Sequence, residues 1–436
     1  ENLTVASSII TGNATSFNGS NAGGGGIFSN AGSVAPNSLT VRDSTISYNR
    51  AFTDGGGEGG GIYKAYGSLV IERSTIARNS AASGIQGAGI GGGIRTLNVT
   101  LDIRDSTIAT NSADGWGGGI GISGGIATIT NSTISGNHAE TGATSISGGR
   151  GGGIGAGGNL TIRHSTITNN HASTLSPFAF IKPTGGGLSG QATLEHTIVA
   201  GNSVGPGGSG PDVSGVVSAR YSLFGNSMDA TIMDNGGSLI GTDAFPINPQ
   251  LAGLADNGGP TRTRALLASS PAINAGDPNA VPGIGGVPRF DQRGYAYSRI
   301  IGGRIDIGAF EFGAVSADFD NDGGIDGRDF LSWQRGFGKL NATKADGDAN
   351  GDNLINGTDL GIWQSQYDTP PLVETLMESE EFGSSLSQGV NLAILLYPNV
   401  VEDEKDFAPL AMDLAMEQIM RIDWKPLAAT AKGLRP

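Results

Sequence analysis

The sequence predicts an all-β fold for the first half of the chain, a parallel β-helix whose short strands stack coil on coil. A motif of the form "STIxxN", as in "RDSTISYN" (42–49), recurs along the chain. The Asn that ends each copy lies at positions 13, 49, 79, 111, 137, 170, 202 and 226. A glycine run that ends in an aliphatic residue, such as "GGGI" ending at Ile62, precedes most copies. Glycine supplies 75 of the 436 residues, without the Gly-X-Y period of collagen. A period of 24 to 36 residues is typical of stacked arrays.

Each predicted coil consists of a glycine turn, a strand, a variable loop, a second strand, a bend, a third strand and the Asn. Alternation predicts that the side chains of Leu39 and Val41 face inward, and that those of Ser44 and Ile46 do so as well. The inward positions are thus odd-numbered before Asp43 and even-numbered after it. The chain must therefore bend there. The residues at this bend are Asp43, Arg73, Asp105, Asn131, His164 and His196. With coils ~4.8 Å apart, about seven recognisable coils give a rod roughly 35 Å long.

Two columns of the repeat favour structural roles. The residue before the bend is Arg42, Glu72, Arg104, Thr130, Arg163 or Glu195, so neighbouring coils present opposite charges, as in an outward-facing ladder. The Asn column is typical of a turn in which stacked side chains bond the backbone and one another.

The four histidines fall into two further columns, His164 with His196 and His138 with His171. Two imidazoles one coil apart are able to share a metal or to supply a base, and the alternative is a stack of surface side chains. Arg163, His164, Glu195 and His196 together come closest to a catalytic constellation, since a lyase needs a base beside cations.

Two stretches carry family resemblances. The repeats over residues 1–245 resemble those of the polymorphic outer-membrane protein family and its right-handed β-helix relatives. The segment 246–313, with "NPQLAGLADNGGPTRTRALLASSPAINAGD" and "DQRGYAYSRIIGGRIDIGAFEF", resembles the end of the choice-of-anchor Q domain of bacterial surface proteins. We expect this segment to cap the open last coil. The resemblance implies an extracellular or bacterial cell-surface location. The chain begins inside a repeat at Glu1 without a signal peptide, so we expect further residues upstream.

Two 12-residue loops, "DFDNDGGIDGRD" (318–329) and "DANGDNLINGTD" (348–359), have oxygen ligands at the spacing that wraps a calcium ion. Positions 1, 3, 5, 9 and 12, with a backbone carbonyl at position 7, predict two Ca²⁺ sites. The predicted ligands are Asp318, Asp320, Asp322, Gly324, Asp326 and Asp329 in the first loop, and Asp348, Asn350, Asp352, Leu354, Asn356 and Asp359 in the second.

A short helical pattern follows each loop, and Trp333 and Trp363 lie four residues after the closing Asp. We expect each indole to pack against the other loop. Residues 314–370 resemble a type I dockerin, which implies a cohesin-type partner. Gly327-Arg328 and Gly357-Thr358 stand where dockerins often present Ser or Thr. Residues 371–436 are acidic, and their pattern is helical around 408–424. We predict no function for this segment.

Composition excludes several classes. A net charge of −14 argues against nucleic-acid binding, which needs basic patches. There is no cysteine for a disulfide framework. The apolar run "NLAILLYPNVV" is too short to span a bilayer.

The sequence thus favours a secreted or cell-surface β-helix, a non-catalytic adhesin or glycan-binding rod that is attached through a calcium-dependent module. Its ligand, a cell-surface polysaccharide or a protein, would meet the outer face and the variable stretches at 50–58, 80–90, 138–150 and 171–184. The alternative is a polysaccharide lyase or glycoside hydrolase that its dockerin recruits to an assembly. Hydrolysis uses two carboxylates about 5–10 Å apart. The outward carboxylates Asp43, Glu72, Asp105 and Glu195 are scattered by comparison, so the question of catalysis stays open.

Overall fold

The computed structural model describes residues 2–17, 23–30, 37–83, 89–295, 297–301, 303–313, 315–322, 324–351 and 353–367. The chain divides into two compact units, Glu1–Val315 and Ser316–Pro436. The predicted helical tail at 371–436 lies outside the described residues, as do Gly323 and Asp352 of the predicted calcium loops.

The first unit is a parallel β-helix, which confirms the predicted fold class, and its strands form three stacked sheets. Sheet 1 comprises Leu3–Ala6, Ile27–Asn30, Ser38–Arg42, Ile62–Ala65, Ser68–Glu72, Ile94–Arg104, Ile120–Thr130, Ile154–Arg163, Leu188–Gly190, Ala192–Glu195, Val213–Arg220 and Ala230–Asp234. Sheet 2 comprises Ile9–Thr11, Thr45–Ser47, Thr75–Ala77, Thr107–Ala109, Thr133–Ser135, Thr166–Thr168, Ile198–Val199, Leu223–Phe224 and Leu239–Ile240. Sheet 3 comprises Ala14–Phe17, Arg50–Thr53, Ser80–Ser83, Ser112–Ala113, His138–Thr141, His171–Thr174 and Ser203–Val204.

The predicted order of strands and loops within a coil is wrong at sheet 3. Its strands follow the Asn directly, so the stretches that we expected to be loops at 50–58, 80–90, 138–150 and 171–184 each begin as a strand. The two strands expected on either side of a variable loop belong together in sheet 1, and they fuse into one strand in Ile94–Arg104. The prediction missed sheet 3 because sequences such as "SAAS" (80–83) are small and polar and show little β-propensity.

The predicted bend between sheets 1 and 2 is a left-handed corner. The φ angles at this position are 51° at Asp43, 41° at Arg73, 50° at Asp105, 54° at Asn131, 48° at His164 and 46° at His196. Asp and Asn adopt this left-handed backbone readily, whereas for Arg and His it costs roughly 1 kcal/mol of conformational strain. The corner therefore needs compensating contacts where it is occupied by a larger side chain. A glycine occupies the corner before sheet 1, and a Cβ at Gly118 would overlap the backbone carbonyl groups of Gly152 and His138.

Buried aliphatic columns fill the rod, and polar ladders close two of its corners. Ser74, for example, receives a hydrogen bond from the Ser44 amide at 3.1 Å and donates its own amide to the Ser106 Oγ at 3.1 Å. In the Asn column, Asn79 donates its Nδ2 to the Ile46 carbonyl at 2.9 Å and to the Asn111 Oδ1 at 3.0 Å. Within these two ladders, each coil thus satisfies buried polar groups of its neighbour, as buried polar groups require.

The Asn column ends differently from the prediction. Asn202 donates its amide and its Nδ2 to one carboxylate oxygen of Asp212, each at 2.9 Å, and the other oxygen accepts from the Asn226 amide at 2.6 Å. Asn226 turns its own side chain outward to Asp243. Asp212, and not Asn226, therefore terminates the ladder, and burial raises its pKa to about 6.

The charged column follows the predicted register. Arg163 pairs with Glu195 at 3.3 Å, and Arg104 lies 3.5 Å from Glu72. Arg42 is the strand neighbour of Glu72, but its guanidinium lies 3.7 Å from Asp43. These side chains are partly exposed, so each pair contributes little to stability.

We predicted that segment 246–313 caps the last coil. In the structure it is a strap that runs along the side of the rod. It includes the hairpin Leu251–Ala255 with Thr263–Leu266 and the hairpin Ile300–Ile301 with Arg304–Ile305. It covers the outer face of sheet 2 from Thr107, whose Oγ1 donates to the Arg262 carbonyl, to Leu223. Its apolar contact consists of Leu266, Ala272, Ile307 and Phe310 on Ile198, Ala200 and Leu223. We call this segment the lateral strap.

The lateral strap contains the "DQR" and "RIDIGAFEF" motifs, and these form a buried charged network. Asp291 and Arg293 pair at 2.6 Å, and Arg293 stacks between the rings of Tyr297 and Phe310. Glu311 accepts the amides of Ile301 and Asp306 at 3.0 Å each. These motif residues therefore hold the strap together.

The second unit contains the helix α1 (Gly327–Gly336), the 3₁₀ turn Lys344–Asp346 and the helix α2 (Gly357–Gln366). Asp326 and Asn356 begin the two α-helices with capping boxes. Neither helix in the described part of the chain has the length and hydrophobicity to span a bilayer.

Candidate metal centre

The first acidic loop brings three carboxylates together at the surface of the second unit. One oxygen each of Asp318, Asp320 and Asp322 lies within 4.8 Å of the others. Asp318 is buried, whereas Asp320 and Asp322 are exposed. Three like charges at this distance repel one another, and a cation among them would relieve the repulsion.

The carboxylate at position 12, Asp329, is held by backbone amides. Its Oδ1 accepts from the Phe319 amide at 2.6 Å, and its Oδ2 accepts from the Asp326 amide at 2.9 Å. Burial is the main cause that raises the pKa of Asp329 to about 6, and the charges of Asp320 and Asp318 raise it further. Asp329 thus ties the start of the loop to its end.

Asp326, at position 9, also begins the helix α1. Its Oδ1 accepts from the Arg328 amide at 2.7 Å as the N-cap of α1. Arg328 pairs with Asp322 at 3.1 Å. Gly324 donates its amide to the Asp322 Oδ1 at 2.8 Å.

The second loop repeats this arrangement. Asp359 accepts from the Ala349 amide and from the Asn356 amide, each at 2.9 Å. Asp348 accepts from Gly351 at 2.8 Å and from Asn353 at 2.7 Å. Leu354 bridges to Leu340, and Asn350 donates its amide to Asp359 at 3.3 Å. Asp352 lies outside the described residues, so the structure shows this loop's fold without its complete donor set.

The two tryptophans link the loops symmetrically, as predicted. The Trp333 Nε1 donates to the Asn356 carbonyl at 2.9 Å, and the Trp363 Nε1 donates to the Asp326 carbonyl at 3.1 Å. Each indole therefore bonds position 9 of the opposite loop. Any cation that orders one loop also orders the surface on which the other indole rests.

The donor set of the first loop consists of oxygen atoms, and its carboxylates outnumber nearby cations. This set fits a hard cation such as Ca²⁺, which takes six to eight oxygen ligands at about 2.3–2.6 Å. Asp318, Asp320 and Asp322 would hold the ion directly. The charge of the ion would offset the repulsion among these three carboxylates. Asp329 also interacts with the charges of Asp318 and Asp320.

The histidines of the bend column form a buried stack. His164 and His196 lie 4.8 Å apart with parallel rings, and Tyr221 continues the stack at 5.6 Å. Both imidazoles are 1% exposed, and the His196 Nε2 accepts from the Asp277 amide of the lateral strap at 2.9 Å. Arg163 and Glu195 pair beside them. A polymer would reach these imidazoles only if the strap moved away.

We expect this stack to make the first unit less stable in acid. Burial first, and the charge of Arg299 second, lower the pKa of His196 to about 4. The same two causes hold the pKa of His164 well below its usual value. Because its pKa is lowered by folding, His196 binds a proton more readily in the unfolded chain than in the folded one. The free energy of unfolding therefore decreases as the pH falls from about 6.5 to about 4. The loss from His196 is about 3 kcal/mol.

Urea unfolding of His196→Gln at pH about 7 and about 4.5 measures this loss, and the difference between the two pH values should shrink relative to the unmodified chain. His171→Gln, on a partly exposed side chain, is the matched control. Carboxyls with raised pKa values such as Asp212 act in the opposite direction in all three proteins, so they cancel in the comparison. Equal pH dependence in His196→Gln would contradict the assignment.

The second pair of histidines lies on the outer face of sheet 3. His138 and His171 are strand neighbours, and their rings lie 5.0 Å apart. The His138 Nε2 lies 3.8 Å from the Glu140 Oε2 and 3.1 Å from the Ser173 Oγ. The sequence showed the histidine column but not Glu140, because the stretch after Asn137 was expected to be a loop. The H-x-E alternation on a strand is the signal that would have found it.

No family model, curated protein or solved structure matches the chain. The functional assignment therefore rests on the geometry of the sites.

Proposed function

We propose that this protein is a secreted or cell-surface β-helix rod, a non-catalytic adhesin or glycan-binding protein that attaches through a dockerin-like, calcium-dependent module. The observation that carries the proposal is the convergence of Asp318, Asp320 and Asp322 in a loop whose partner loop has the same amide contacts. The exchanged indole contacts of Trp333 and Trp363 support a module in which the two loops act as a pair.

Several features of the first unit support a binding rod. Its polar ladders and core run through successive coils, and side chains on sheets 1 and 3 face outward in regular columns. Repeated outward columns suit recognition of an extended polymer or of a neighbouring surface protein. This part of the proposal rests on architecture, which supports a binding role by analogy.

Polysaccharide cleavage by a lyase or glycoside hydrolase is the alternative function. Its strongest sequence candidates, His164 and His196, are closed off beneath the lateral strap. Turnover of uronate-rich and neutral glycans by residues 1–312, compared with His164→Ala/His196→Ala, separates the two functions. Products that disappear in the double variant would favour the lyase.

Attachment is tested by binding of the full chain to a panel of immobilised cohesin modules, with Ca²⁺ and with chelator. We expect calcium-dependent capture that Asp320→Asn/Asp322→Asn abolishes, while glycan binding by the rod is unchanged. Asp229→Asn/Asp234→Asn, which removes two exposed charges from the rod, is the matched control. Capture that persists in chelator would contradict a calcium-dependent attachment.

A further inference from the structure

Two long connections on neighbouring coils present an exposed apolar surface. Residues 142–150 and 175–184 lead from sheet 3 back to sheet 1, and they are longer than the equivalent connections 114–116 and 205–209 of the coils on either side. Their exposed large apolar side chains are Ile146, Leu175, Phe178, Phe180 and Ile181. At 87%, Phe180 is the most exposed large apolar side chain in the described part of the chain. We call these two connections the apolar knob.

Backbone and hydroxyl contacts, and not the large apolar side chains, hold the knob in shape. The Phe180 amide donates to the Ile146 carbonyl at 3.0 Å, which joins the two connections. The Ser176 Oγ accepts from the Phe178 amide at 3.2 Å. Ser176 and Ala179 are buried, whereas the phenylalanines on either side of Ala179 are exposed. The knob therefore turns its small residues inward and its large apolar ones to the outside.

The charges on the knob have the opposite sign to that of the whole chain. Its two connections contain no Asp or Glu, and they contain Arg150 and Lys182, which are both exposed. The chain as a whole has a net charge of −14. Glu140, just before the first connection, accepts a hydrogen bond from the Ser173 Oγ at 2.7 Å. An apolar tip with basic neighbours thus complements a partner that is apolar within and anionic at its surface.

We propose that the apolar knob docks on a lipid bilayer with anionic headgroups. Phe178 and Phe180 would enter the boundary between the headgroups and the acyl chains, as the apolar side chains of peripheral proteins do. Arg150 and Lys182 would lie at the level of the phosphates. The contact uses residues of the first unit alone, so it does not depend on calcium binding by the second unit.

A bilayer suits the knob better than a second copy of the chain does. A twofold interface centred on the knob would bring Arg150 and Lys182 of one copy near those of the other, and like charges oppose such a contact. A stable protein interface also uses about 20–30 residues from each side, which is more than the two connections supply. A bilayer takes up a small apolar tip without a matching surface.

Flotation of the full chain with vesicles of equal parts phosphatidylcholine and phosphatidylglycerol, in CaCl₂, tests the proposal. We expect Phe178→Ser/Phe180→Ser to lower the vesicle affinity at least about tenfold, since full burial of one exposed Phe is worth roughly that factor. Ile9→Ser/Phe245→Ser is the matched control. These two side chains are 76% and 83% exposed elsewhere on the first unit, so this variant should bind as the unmodified chain does.

The contribution of the basic residues is tested with Arg150→Gln/Lys182→Gln. Affinity for the same vesicles should fall about fivefold for each cation at low salt, and by less when salt screens the charges. Arg262→Gln/Arg289→Gln removes two exposed cations from the lateral strap and is the control. An equal loss in both double variants would show that net charge alone attracts the chain to vesicles, and it would overturn docking through the knob.

A second readout locates the contact. The chain contains no cysteine, so Ile146→Cys and Phe245→Cys each accept a single environment-sensitive fluorophore. Emission from position 146 should shift to shorter wavelength on addition of vesicles, while emission from position 245 stays in place. All substitutions alter exposed side chains, and an unchanged thermal midpoint verifies that the variants fold. Vesicle affinity that is the same in Phe178→Ser/Phe180→Ser as in the unmodified chain would overturn the proposal. A dimer in analytical ultracentrifugation that this variant abolishes would overturn it in favour of a second copy of the chain.

Discussion

Removal of calcium is expected to unfold most of the second unit. Asp318, Asp320 and Asp322 lie within 4.8 Å of one another, and without an ion their repulsion opposes the loop that positions α1. Each indole bonds the opposite loop, so loss of the first loop weakens the second. Far-ultraviolet circular dichroism of residues 314–370 should show most of the helical signal lost on addition of chelator and regained with Ca²⁺.

The first loop should depend on the ion more than the second does, because it has five Asp at the ligand positions against three. Asp320→Asn/Asp322→Asn should therefore reduce the dependence of folding on calcium as well as the affinity. Arg328→Ala is a useful control, since it removes a surface partner of Asp322 but no predicted ligand. A helical signal that chelator leaves unchanged would contradict the calcium assignment.

Asn111→Ala is expected to destabilise the rod by about 3–5 kcal/mol. The Asn111 Oδ1 accepts from the amide and the Nδ2 of Asn79 at 2.9 and 3.0 Å. Its Nδ2 donates to the Ile76 carbonyl at 2.9 Å and to the Asn137 Oδ1 at 3.0 Å. The side chain is 1% exposed, so alanine leaves two buried donors and two buried acceptors with weakened or missing bonds.

Asn226→Ala provides the matched control for that prediction. Asn226 occupies the same position of the sequence repeat, but its Nδ2 bonds Asp243 at the surface. Its loss should cost below about 1 kcal/mol. Urea unfolding of residues 1–313, followed by the fluorescence of Trp116, measures both variants, and equal destabilisation would show that the ladder is not what makes Asn111 important.

The repeat made much of the rod predictable. The period fixed the inward aliphatic residues, the bend at Asp43 and the opposition of Arg163 and Glu195, because these depend on neighbouring coils. The lateral strap was not predictable in its course, since Gln292 bonds Thr107 and Thr133 across more than 150 residues without any repeat between them. Long-range contacts of this kind leave no periodic trace in one sequence.

The two acidic loops of the second unit show a similar division. Spacing predicted the convergence of Asp318, Asp320 and Asp322 and the exchange of tryptophans. A ligand template did not show that Asp326 would serve as a helix cap or that Asp329 would bond two amides. The capping box of α1 was a local signal of both, because Asp at the N-cap and at the third helical position bonds the backbone reciprocally.

The course of the lateral strap has a mechanical consequence. The second unit follows the strap in the chain, so tension applied to it enters the rod through residues 246–313 and not through the last coil directly. The strap is fastened to Thr107, Thr133 and Thr166 of successive coils as well as to the final ones. A force that reaches the strap is thereby shared among several coils, because its bonds to them are distributed along the rod. The last coil is therefore not the single point at which such a force enters the solenoid.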